Sequence, residues 1–315
     1  MINIFFHIGL HKTGSTFLQK EVFTNMHKLN FLGKLPIEMK NIIYQDILYF
    51  DKEFQKQVIK KKLTKYKTNL ISNEALSGDP QNGGFYRERI LEKIHECFPY
   101  AKIILFIRRQ DEWALSNYKG SIRNGSNLSL KNFFLPALNP DKSWIRRYPN
   151  PTIEIFKFFP YIRYMVKLFG RDNCLIIPYE LLKLDINHTI KKLCSFMGIQ
   201  KPVYTNTIRN YSYGKYRLYI NRFFNLFFEK NQNPYGFLKG IPIYNWKHRR
   251  FELRKLNSIL ENISIKEKYD KLFNVLDKEY IDKEGICTRI LNLCKYDNKS
   301  IQEEFSIDIK RFGYF

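Results

Sequence analysis

MINIFFHIGLHKTGSTFLQKEVF, residues Met1–Phe23, is the stretch that decides the fold of this chain. Its apolar run at 2–8 predicts a buried strand, and the two glycines within 9–14 predict a short loop. Ser15 and Thr16 can then cap a helix. The positive end of that helix and its first N–H groups would converge on the loop. Strand, loop and helix together therefore predict a cradle for an anion such as phosphate.

The spacing of this loop differs from that of the common phosphate-binding loop, GxxxxGK[ST]. Gly9 and Gly14 have the same separation as the two glycines of that pattern, but Ser15 follows Gly14 and the lysine lies inside the loop, at Lys12. We therefore expect Lys12 to contact the bridging oxygen of a bound group rather than the outer phosphates beside a metal ion. Glycines in a strand-turn-helix also occur without any ligand, so the loop alone leaves both interpretations open.

Strands and helices alternate along the rest of the chain. Amphipathic helices are predicted after the loop, with Leu18, Val22 and Met26 inward, and then at Tyr86–Cys97, Thr152–Phe169 and Ile190–Met197. Buried strands are predicted at Asn69–Ser72, Lys102–Ile107 and Asn173–Pro178. This alternation predicts an α/β fold with a central parallel sheet, P-loop-like and flanked by helices.

Three segments are assigned more coarsely. Residues 27–67 are mixed and include a basic helical stretch at Glu53–Lys67, whereas residues 124–152 carry turn residues and predict a long irregular segment. Residues 205–295 are predicted to form a mostly helical C-terminal elaboration. Because no linker or repeat stands out, we expect a single domain over 1–315.

The composition is strongly basic. The 315 residues include 53 Lys and Arg against 30 Asp and Glu, a formal net charge of +23. Such an excess attracts polyanions: nucleic acid, an anionic membrane, an acidic glycan or a phosphorylated cofactor. Part of it is expected to be a solvated helix face, as at Lys60–Lys62.

The apolar content excludes some classes of protein. At 44% apolar residues the chain is globular, and no run of about eighteen apolar residues predicts a membrane span. The sequence enters its first strand without a basic leader or cleavage site, so we expect a cytoplasmic protein. The cysteines lack CxxC spacing and lie in apolar patterns, so we expect buried thiols rather than disulfides or a zinc site. They are Cys97, Cys174, Cys194, Cys287 and Cys294.

A second candidate phosphate site follows the strand predicted at Lys102–Ile107. Arg108 lies at its carboxyl end, where ligands bind in open parallel sheets. Asp111 is expected to N-cap the next helix, and Ser116 lies in the first turns of that helix. An arginine and a hydroxyl in this arrangement can hold one phosphate. Alternatively, Arg108 caps a helix or pairs with Asp111 or Glu112.

Together the two motifs resemble those of the sulfotransferases that use 3′-phosphoadenosine 5′-phosphosulfate (PAPS). The loop HxGxxKTGST at 7–16 is similar to the 5′-phosphosulfate loop of bacterial members, commonly HKTGTT, with Ser15 in place of a threonine. Arg108 with Ser116 resembles the 3′-phosphate site, often RxPxxxxxS, with Gln110 in place of the proline. Three further segments resemble parts of the family: LISNEALSG (70–78), LIIPYELL (175–182) and DNKSIQEEF (297–305).

This resemblance implies an enzyme that moves the sulfuryl group of PAPS to an acceptor and releases 3′-phosphoadenosine 5′-phosphate (PAP). The implied cofactor-binding residues are Lys12, Thr13, Gly14, Ser15, Thr16, Arg108, Ser116 and, in the segment IRNYS, Arg209. Lys12 is implied to stabilise the leaving bridge oxygen. Glu74, at the end of the strand predicted at Asn69–Ser72, is implied to act as the general base.

The assignment of the base leaves alternatives open. Glu74 is otherwise a surface carboxylate at the strand end, or an ion-pair partner of Lys12. His11, which flanks Lys12, is the next candidate for a catalytic role, whereas His7 lies within the strand and is expected to be a core histidine. We expect no metal ion, because lysine, arginine and loop amides would neutralise the leaving group and no cluster of ligands has metal-binding spacing.

The acceptor is expected to be a saccharide or another polyhydroxylated molecule that carries a hydroxyl or amine. Aromatic and arginine residues are abundant in the segments expected to form its pocket, 36–67, 124–165 and 205–260. A small-molecule metabolite is the alternative acceptor. An ATP-dependent phosphotransferase is disfavoured by the position of Lys12 and the lack of an evident metal-binding aspartate. The net charge alone suggests a nucleic-acid or membrane-surface protein, and we expect no nucleic-acid partner.

Overall fold

A computed structural model describes residues 3–33, 40–80, 83–84, 86–139, 151–204, 215–227 and 281–315. Five strands in this part of the chain form one sheet: β1 (Ile4–His7), β2 (Leu29–Phe31), β3 (Thr68–Ser72), β4 (Lys102–Ile107) and β5 (Cys174–Pro178). Their order is β2-β3-β1-β4-β5, and every neighbouring pair is parallel. The predicted α/β fold with a central parallel sheet is confirmed.

Helices cover both faces of this sheet. The first, α1 (Ser15–Phe17), continues in π-helical form at Leu18–Val22 and in 3-10 form at Phe23–Asn25. The others described are α2 (Lys40–Tyr44), α3 (Lys52–Lys60), α4 (Arg87–Cys97), α5 (Gln110–Arg123), α6 (Leu130–Phe133), α7 (Leu135–Leu138), α8 (Ile153–Phe156), α9 (Phe158–Phe169), α10 (Tyr179–Leu184), α11 (Ile186–Met197), α12 (Lys215–Phe227), α13 (Ile286–Leu293) and α14 (Lys295–Phe305). Short 3-10 turns lie at Ile47–Tyr49, Glu74–Ser77, Arg171–Asn173 and Lys310–Phe312.

The strand order creates a crevice at one edge of the sheet. From β1, the central strand, the chain runs to β2 and β3 on one side and then crosses to β4 and β5 on the other. The order therefore reverses between β1 and β4. In open parallel sheets, the carboxyl ends of two such strands flank a ligand-binding crevice. The loop after His7 and the turn after Ile107 both start at this crevice.

Two hydrophobic cores lie on the two faces of the sheet. In β4, Ile103, Leu105 and Ile107 belong to the core under α4, α5 and α9, whereas Ile104 and Phe106 belong to the core under α11 and the helical run 15–25. Because both faces are buried, the strand is a continuous apolar run rather than an alternating one. This is why β4 was the clearest strand in the sequence.

Some boundaries differ from the prediction. β2, within 27–67, was not predicted, because three residues are too few to show a periodicity. In that same segment α3 ends at Lys60 rather than continuing to Lys67. The predicted inward face of the first helix is buried at Leu18, Val22 and Met26, although the helical run itself ends at Asn25.

The helix predicted at Thr152–Phe169 is two helices, with extended backbone at Lys157 between them. The Arg87 guanidinium donates to the carbonyls of Glu154, at 3.0 Å, and Ile155, at 3.4 Å. The Glu154 carbonyl also accepts from the Lys157 N–H at 3.2 Å. Pro160 has no N–H to donate back to the preceding turn and is tolerated only near a helix start. α9 accordingly begins at Phe158.

The segment predicted as irregular, 124–152, contains α6 and α7. Ser129 caps α6, accepting from the Asn132 N–H at 3.2 Å, so the prediction missed a capping residue among the turn residues. Residues 140–150 lie outside the described part. The helical prediction for 205–295 is met at α12 and α13, and residues 205–214 and 228–280 lie outside the described part.

The five cysteines are buried thiols, as predicted, and none is in a disulfide. Burial raises the pKa of Cys97, Cys174 and Cys294 to about 12.

None of the helices described is both long enough and apolar enough to cross a membrane.

Candidate active site

The loop after β1 has a backbone that only certain residues can adopt. Lys12 and Gly14 both have positive φ, 67° and 84°. A Cβ on Gly14 would lie 2.9 Å from Leu182 Cδ2 and 3.1 Å from Tyr179 Cε2, so a side chain is excluded there by contact as well as by φ. The buried Thr13 hydroxyl fixes the loop from inside by donating to the Leu10 carbonyl at 2.5 Å.

Gly14, not Ser15 or Thr16, is the N-cap of α1, and it makes no side-chain capping hydrogen bond. The expectation of a hydroxyl cap was therefore wrong: the left-handed Gly14 turns the chain directly into the helix. Ser15 is thereby released from capping. Its Oγ is buried and has no hydrogen-bond partner in the structure, whereas buried polar groups are nearly always paired. This hydroxyl fits a ligand group seated in the loop.

Arg108 joins the two sides of the crevice. Its Nη1 donates to the Lys12 carbonyl at 2.9 Å, and its Nη2 donates to Glu112 Oε2 at 3.0 Å. The guanidinium stacks 4.9 Å from the centre of the Tyr179 ring, and its Nε is buried without a partner. Of the predicted alternatives, the pair with Glu112 is present. A donor of the same guanidinium nevertheless stays available for an anion.

The helix after this turn begins two residues earlier than predicted. Arg109 is the N-cap of α5, so Asp111 is not. Asp111 lies in the first turn of α5. Its carboxylate binds the Arg109 guanidinium, at 2.7 Å from Nε and 3.1 Å from Nη2. Ser116 lies one turn beyond Glu112 on the same face of α5 and is half-buried. The structure thus places Ser116 on the helix face that carries the carboxylate partner of Arg108.

Charges from three elements surround Lys12. The residue is exposed, yet partial desolvation lowers the pKa of its ammonium, and the guanidiniums of Arg123 and Arg108 lower it further. The carboxylate of Glu74 opposes them. Burial would raise the pKa of Glu112, but the charge and hydrogen bond of Arg108 outweigh burial and leave that pKa below its usual value. The loop is therefore a cationic site. The carboxylates near it already have partners: Glu112 pairs with Arg108, and Glu74 accepts from Gln19.

Glu74 stands beside the loop because β3 is paired with β1. His7 is in register with Ser72, and the Asn73 N–H donates to the His7 carbonyl at 3.1 Å. Glu74 opens the 3-10 turn that follows. Gln19, which sequence analysis did not identify, donates to Ser72 Oγ at 2.9 Å and approaches Glu74 Oε2 at 3.5 Å. Its buried amide therefore ties the first helix to the carboxylate.

The two histidines differ in their surroundings. His7 is buried, as predicted for a core histidine, and its Nδ1 lies 2.7 Å from Ser72 Oγ. Burial lowers the pKa of His7 to about 4, although the charge of Glu74 opposes this, so the ring is neutral at pH 7. His11 is half-buried, and its carbonyl accepts from the indole Nε1 of the buried Trp113 at 2.7 Å. α5 thereby holds the loop at the residue before Lys12.

Three residues of this site were missed by sequence analysis: Gln19, Tyr179 and Arg123. Tyr179 lies within LIIPYELL, a segment for which the resemblance implied no role. Its ring stacks with Arg108 and occupies the space that a side chain on Gly14 would need. Arg123 lies two turns beyond Ser116 on α5, and helical periodicity from Glu112 could have identified it. Arg209 lies outside the described residues. Within the described residues, no group of three or more His, Cys, Asp or Glu side chains is placed to hold a metal ion.

Comparison with known proteins identifies the family. The sequence model of the sulfotransferase domain matches residues 5–227. No curated protein matches the chain. Similar solved structures include a sulfotransferase from Alicyclobacillus acidocaldarius (14% identity, 66% of this chain and 87% of that one, TM-score 0.48) and mouse sulfotransferase SULT7A1 complexed with PAP (20% identity, 64% and 60%, TM-score 0.38). A third is retinol dehydratase in a complex with retinol and PAP (14% identity, 63% and 60%, TM-score 0.30). Since the family model covers well over half of its residues, the chain belongs to the sulfotransferase family.

Proposed function

We propose that this sulfotransferase takes the sulfuryl group from PAPS, transfers it to a hydroxyl or amine of an acceptor and releases PAP. One observation carries the proposal. Arg108, at the end of β4, donates directly to the carbonyl of Lys12 in the loop of β1. Two candidate phosphate sites therefore share the crevice where the strand order reverses.

The residues of each site fit the group it would hold. On the 5′ side, Lys12, Thr13, Gly14, Ser15 and Thr16 would surround the phosphosulfate, and the unpaired Ser15 Oγ offers a hydroxyl there. On the 3′ side, Arg108 would bind the 3′-phosphate through its guanidinium, with Ser116 on the adjoining helix face. Arg209 is proposed as a further cofactor contact. These sites need no metal ion for charge neutralisation, and we propose that none is required.

PAPS supplies a sulfuryl group whose bond to the bridging oxygen breaks as the acceptor forms its new bond to sulfur. Lys12 would stabilise the charge that grows on that bridging oxygen. Desolvation, and then the charges of Arg123 and Arg108, lower the pKa of Lys12, and an incoming anion would relieve the repulsion between these cations. Glu74 would take the proton of the acceptor, since Gln19 holds its carboxylate next to the loop. His11 is the alternative base.

The acceptor is proposed to be a saccharide or another polyhydroxylated molecule, with a small-molecule metabolite as the alternative. The support is compositional: aromatic and arginine side chains suit sugars that carry carboxylates or sulfates. Residues 140–150 and 228–260, in the segments expected to form the acceptor pocket, lie outside the described part. We propose a cytoplasmic enzyme with no nucleic-acid partner.

Thermal melts with added nucleotides test the choice of donor. At 100 times its dissociation constant, PAP should raise the free energy of unfolding by about 2.7 kcal/mol. EDTA should leave this stabilisation unchanged. ATP with magnesium is the comparison ligand for a phosphotransferase. Stabilisation by ATP and magnesium but not by PAP would exclude the proposed donor.

A further inference from the structure

The tail of the chain, residues 295–315, returns to the turn that carries Arg108. It consists of α14 and the 3-10 turn Lys310–Phe312. Tyr314 follows and is fully buried. The tail is remote in sequence from this turn, yet several of its polar contacts reach Arg109 and Gln110, directly or through Glu180.

The first contact is a reciprocal pair of side-chain amides. Gln110 Nε2 donates to Asn298 Oδ1 at 2.7 Å, and Asn298 Nδ2 donates to Gln110 Oε1 at 3.0 Å. Both residues are fully buried. Asn298 Nδ2 also donates to the Tyr314 carbonyl at 2.9 Å. Because each amide satisfies the other away from water, rotating either one leaves a buried polar group unpaired.

The second contact fixes the backbone next to Arg108. The Arg109 N–H donates to Glu180 Oε1 at 3.0 Å, and the Tyr314 hydroxyl donates to Glu180 Oε2 at 2.9 Å. Burial raises the pKa of Tyr314 well above its ordinary value, so the hydroxyl keeps the proton that it donates. Arg109 Nη1 also donates to the Phe312 carbonyl at 3.2 Å. The peptide unit between Arg108 and Arg109 is thus held by a carboxylate that the tail orients.

These contacts act on the side chain proposed for the 3′-phosphate. β4 ends at Ile107 and α5 begins at Gln110, so Arg108 lies between the two elements. Arg109 is joined to α5 through its carbonyl, which accepts from the Trp113 N–H at 2.8 Å. The Arg108 guanidinium lies between the Lys12 carbonyl and Glu112. A small rotation of the turn would move the Arg108 guanidinium away from both the Lys12 carbonyl and Glu112.

We infer that Tyr314, through Glu180, and Asn298, through Gln110, are positioning residues that hold the Arg108 turn in the geometry needed for the 3′-phosphate of the nucleotide. This inference rests on the proposed function, in which Arg108 binds that phosphate. In this proposal the tail acts through Arg109 and Gln110 rather than by binding the nucleotide. Its effect should therefore concern ligands with a 3′-phosphate and spare those without one.

The test compares PAP with adenosine 5′-phosphosulfate, which lacks the 3′-phosphate. Glu180→Ala should weaken PAP about tenfold and Tyr314→Phe about threefold, with adenosine 5′-phosphosulfate nearly unchanged. Glu180→Gln should keep near-normal PAP affinity, because its amide oxygen can still accept from Arg109 and its NH2 can donate to Tyr314. Tyr296→Phe is the matched control, since it removes an exposed hydroxyl from the same tail.

Hydrogen exchange of the Arg109 amide provides a second measurement that needs no nucleotide. Tyr314→Phe should accelerate this exchange while β5 stays protected. An unchanged exchange rate would overturn the inference, since the tail would then not hold the turn. Equal losses of affinity for the two nucleotides would also overturn it, since the tail would then be only a structural support. Arg108→Ala separates this result from the proposed function. If that variant loses PAP selectively while Glu180→Ala does not, the phosphate site stands and the positioning role fails.

If Arg108→Ala fails to weaken PAP selectively, the assignment of Arg108 to the 3′-phosphate is wrong, and the positioning role for that phosphate is overturned with it. Arg109 exchange would still report whether the tail holds the turn.

Discussion

Gly14 is a residue of the site that tolerates little change. Gly14→Ala should destabilise the protein by more than the roughly 1–2 kcal/mol expected for a left-handed backbone, because the new methyl group would also meet Leu182 and Tyr179. It should also weaken PAP, since Tyr179 lies between the loop and Arg108. The measurements are the free energy of unfolding by urea and the PAP dissociation constant.

Gly33→Ala is the matched control for this prediction. Gly33 has a similar φ, 68°, but nothing lies within 4 Å of the position of its Cβ. The control should show the backbone cost alone and normal PAP affinity. Equal effects in the two variants would mean that the contact with Tyr179 and Leu182 is unimportant.

Glu74 and Lys12 should differ in the step they affect. Glu74→Gln keeps the size and hydrogen bonding of the side chain but removes the basic oxygen, so turnover should fall about 10²–10⁴-fold while PAP affinity persists. Lys12→Ala should lose both, because Lys12 would contact the bound nucleotide and stabilise the transition state. Single-turnover sulfuryl transfer and PAP titration of each variant distinguish these outcomes. Near-normal turnover in Glu74→Gln would mean that Glu74 is not the base, and His11 would become the candidate.

At the scale of single residues, the sequence indicated which residues form the site. Apart from the pair of Arg108 with Glu112, it did not indicate which residues they contact. The positions of Lys12 and Arg108 followed from their order after two strands, because the carboxyl ends of parallel strands share one edge. The contact of Arg108 with Tyr179, that of Glu74 with Gln19, and the influence of the Arg123 charge on Lys12 depend on packing between elements far apart in the chain. No local pattern specifies such a contact. The error at Asp111 is a different one: a residue well suited to capping α5 pairs instead with Arg109, two positions before it.

Among the elements, strands were predicted better than helix ends. β4 was evident because a strand buried on both faces must be apolar throughout. The helix predicted at Thr152–Phe169 breaks at Lys157, where Pro160 has no N–H to continue the ladder and Arg87, from α4, donates to the Glu154 and Ile155 carbonyls. Its apolar periodicity continues through that break, so periodicity alone predicted one helix. Tertiary hydrogen bonds therefore set helix boundaries that local propensity leaves undetermined.

For the whole molecule, burial of His7 should make folding stability depend on pH. The pKa of His7 is about 4 when folded, against 6.5 for an exposed histidine. Between these values the unfolded chain binds a proton that the folded protein does not, so stability is full above pH 6.5 and falls as the pH drops toward 4. The loss attributable to His7 should approach about 1.4 kcal/mol per pH unit.

Urea unfolding at several pH values between 4 and 7 measures this dependence. His7→Gln removes the titrating ring, so its stability should fall less steeply with acid than that of the natural protein. His27→Gln changes an exposed histidine and should keep the original slope. If His7→Gln and the natural protein had parallel profiles, the buried ring would not be the source.

The amide pair between Gln110 and Asn298 spans 188 positions of the chain, which has a consequence for synthesis. Closing so long a loop costs only slightly more free energy than closing a shorter one, since the cost grows with the logarithm of length. The effect on timing is greater than the effect on free energy. At about 5–20 residues per second, Asn298 leaves the ribosome roughly 10–40 s after Gln110. During that interval the nascent sheet can form while the Arg108 turn lacks its support. Full affinity for nucleotides with a 3′-phosphate should therefore be acquired last, when the sheet is already folded.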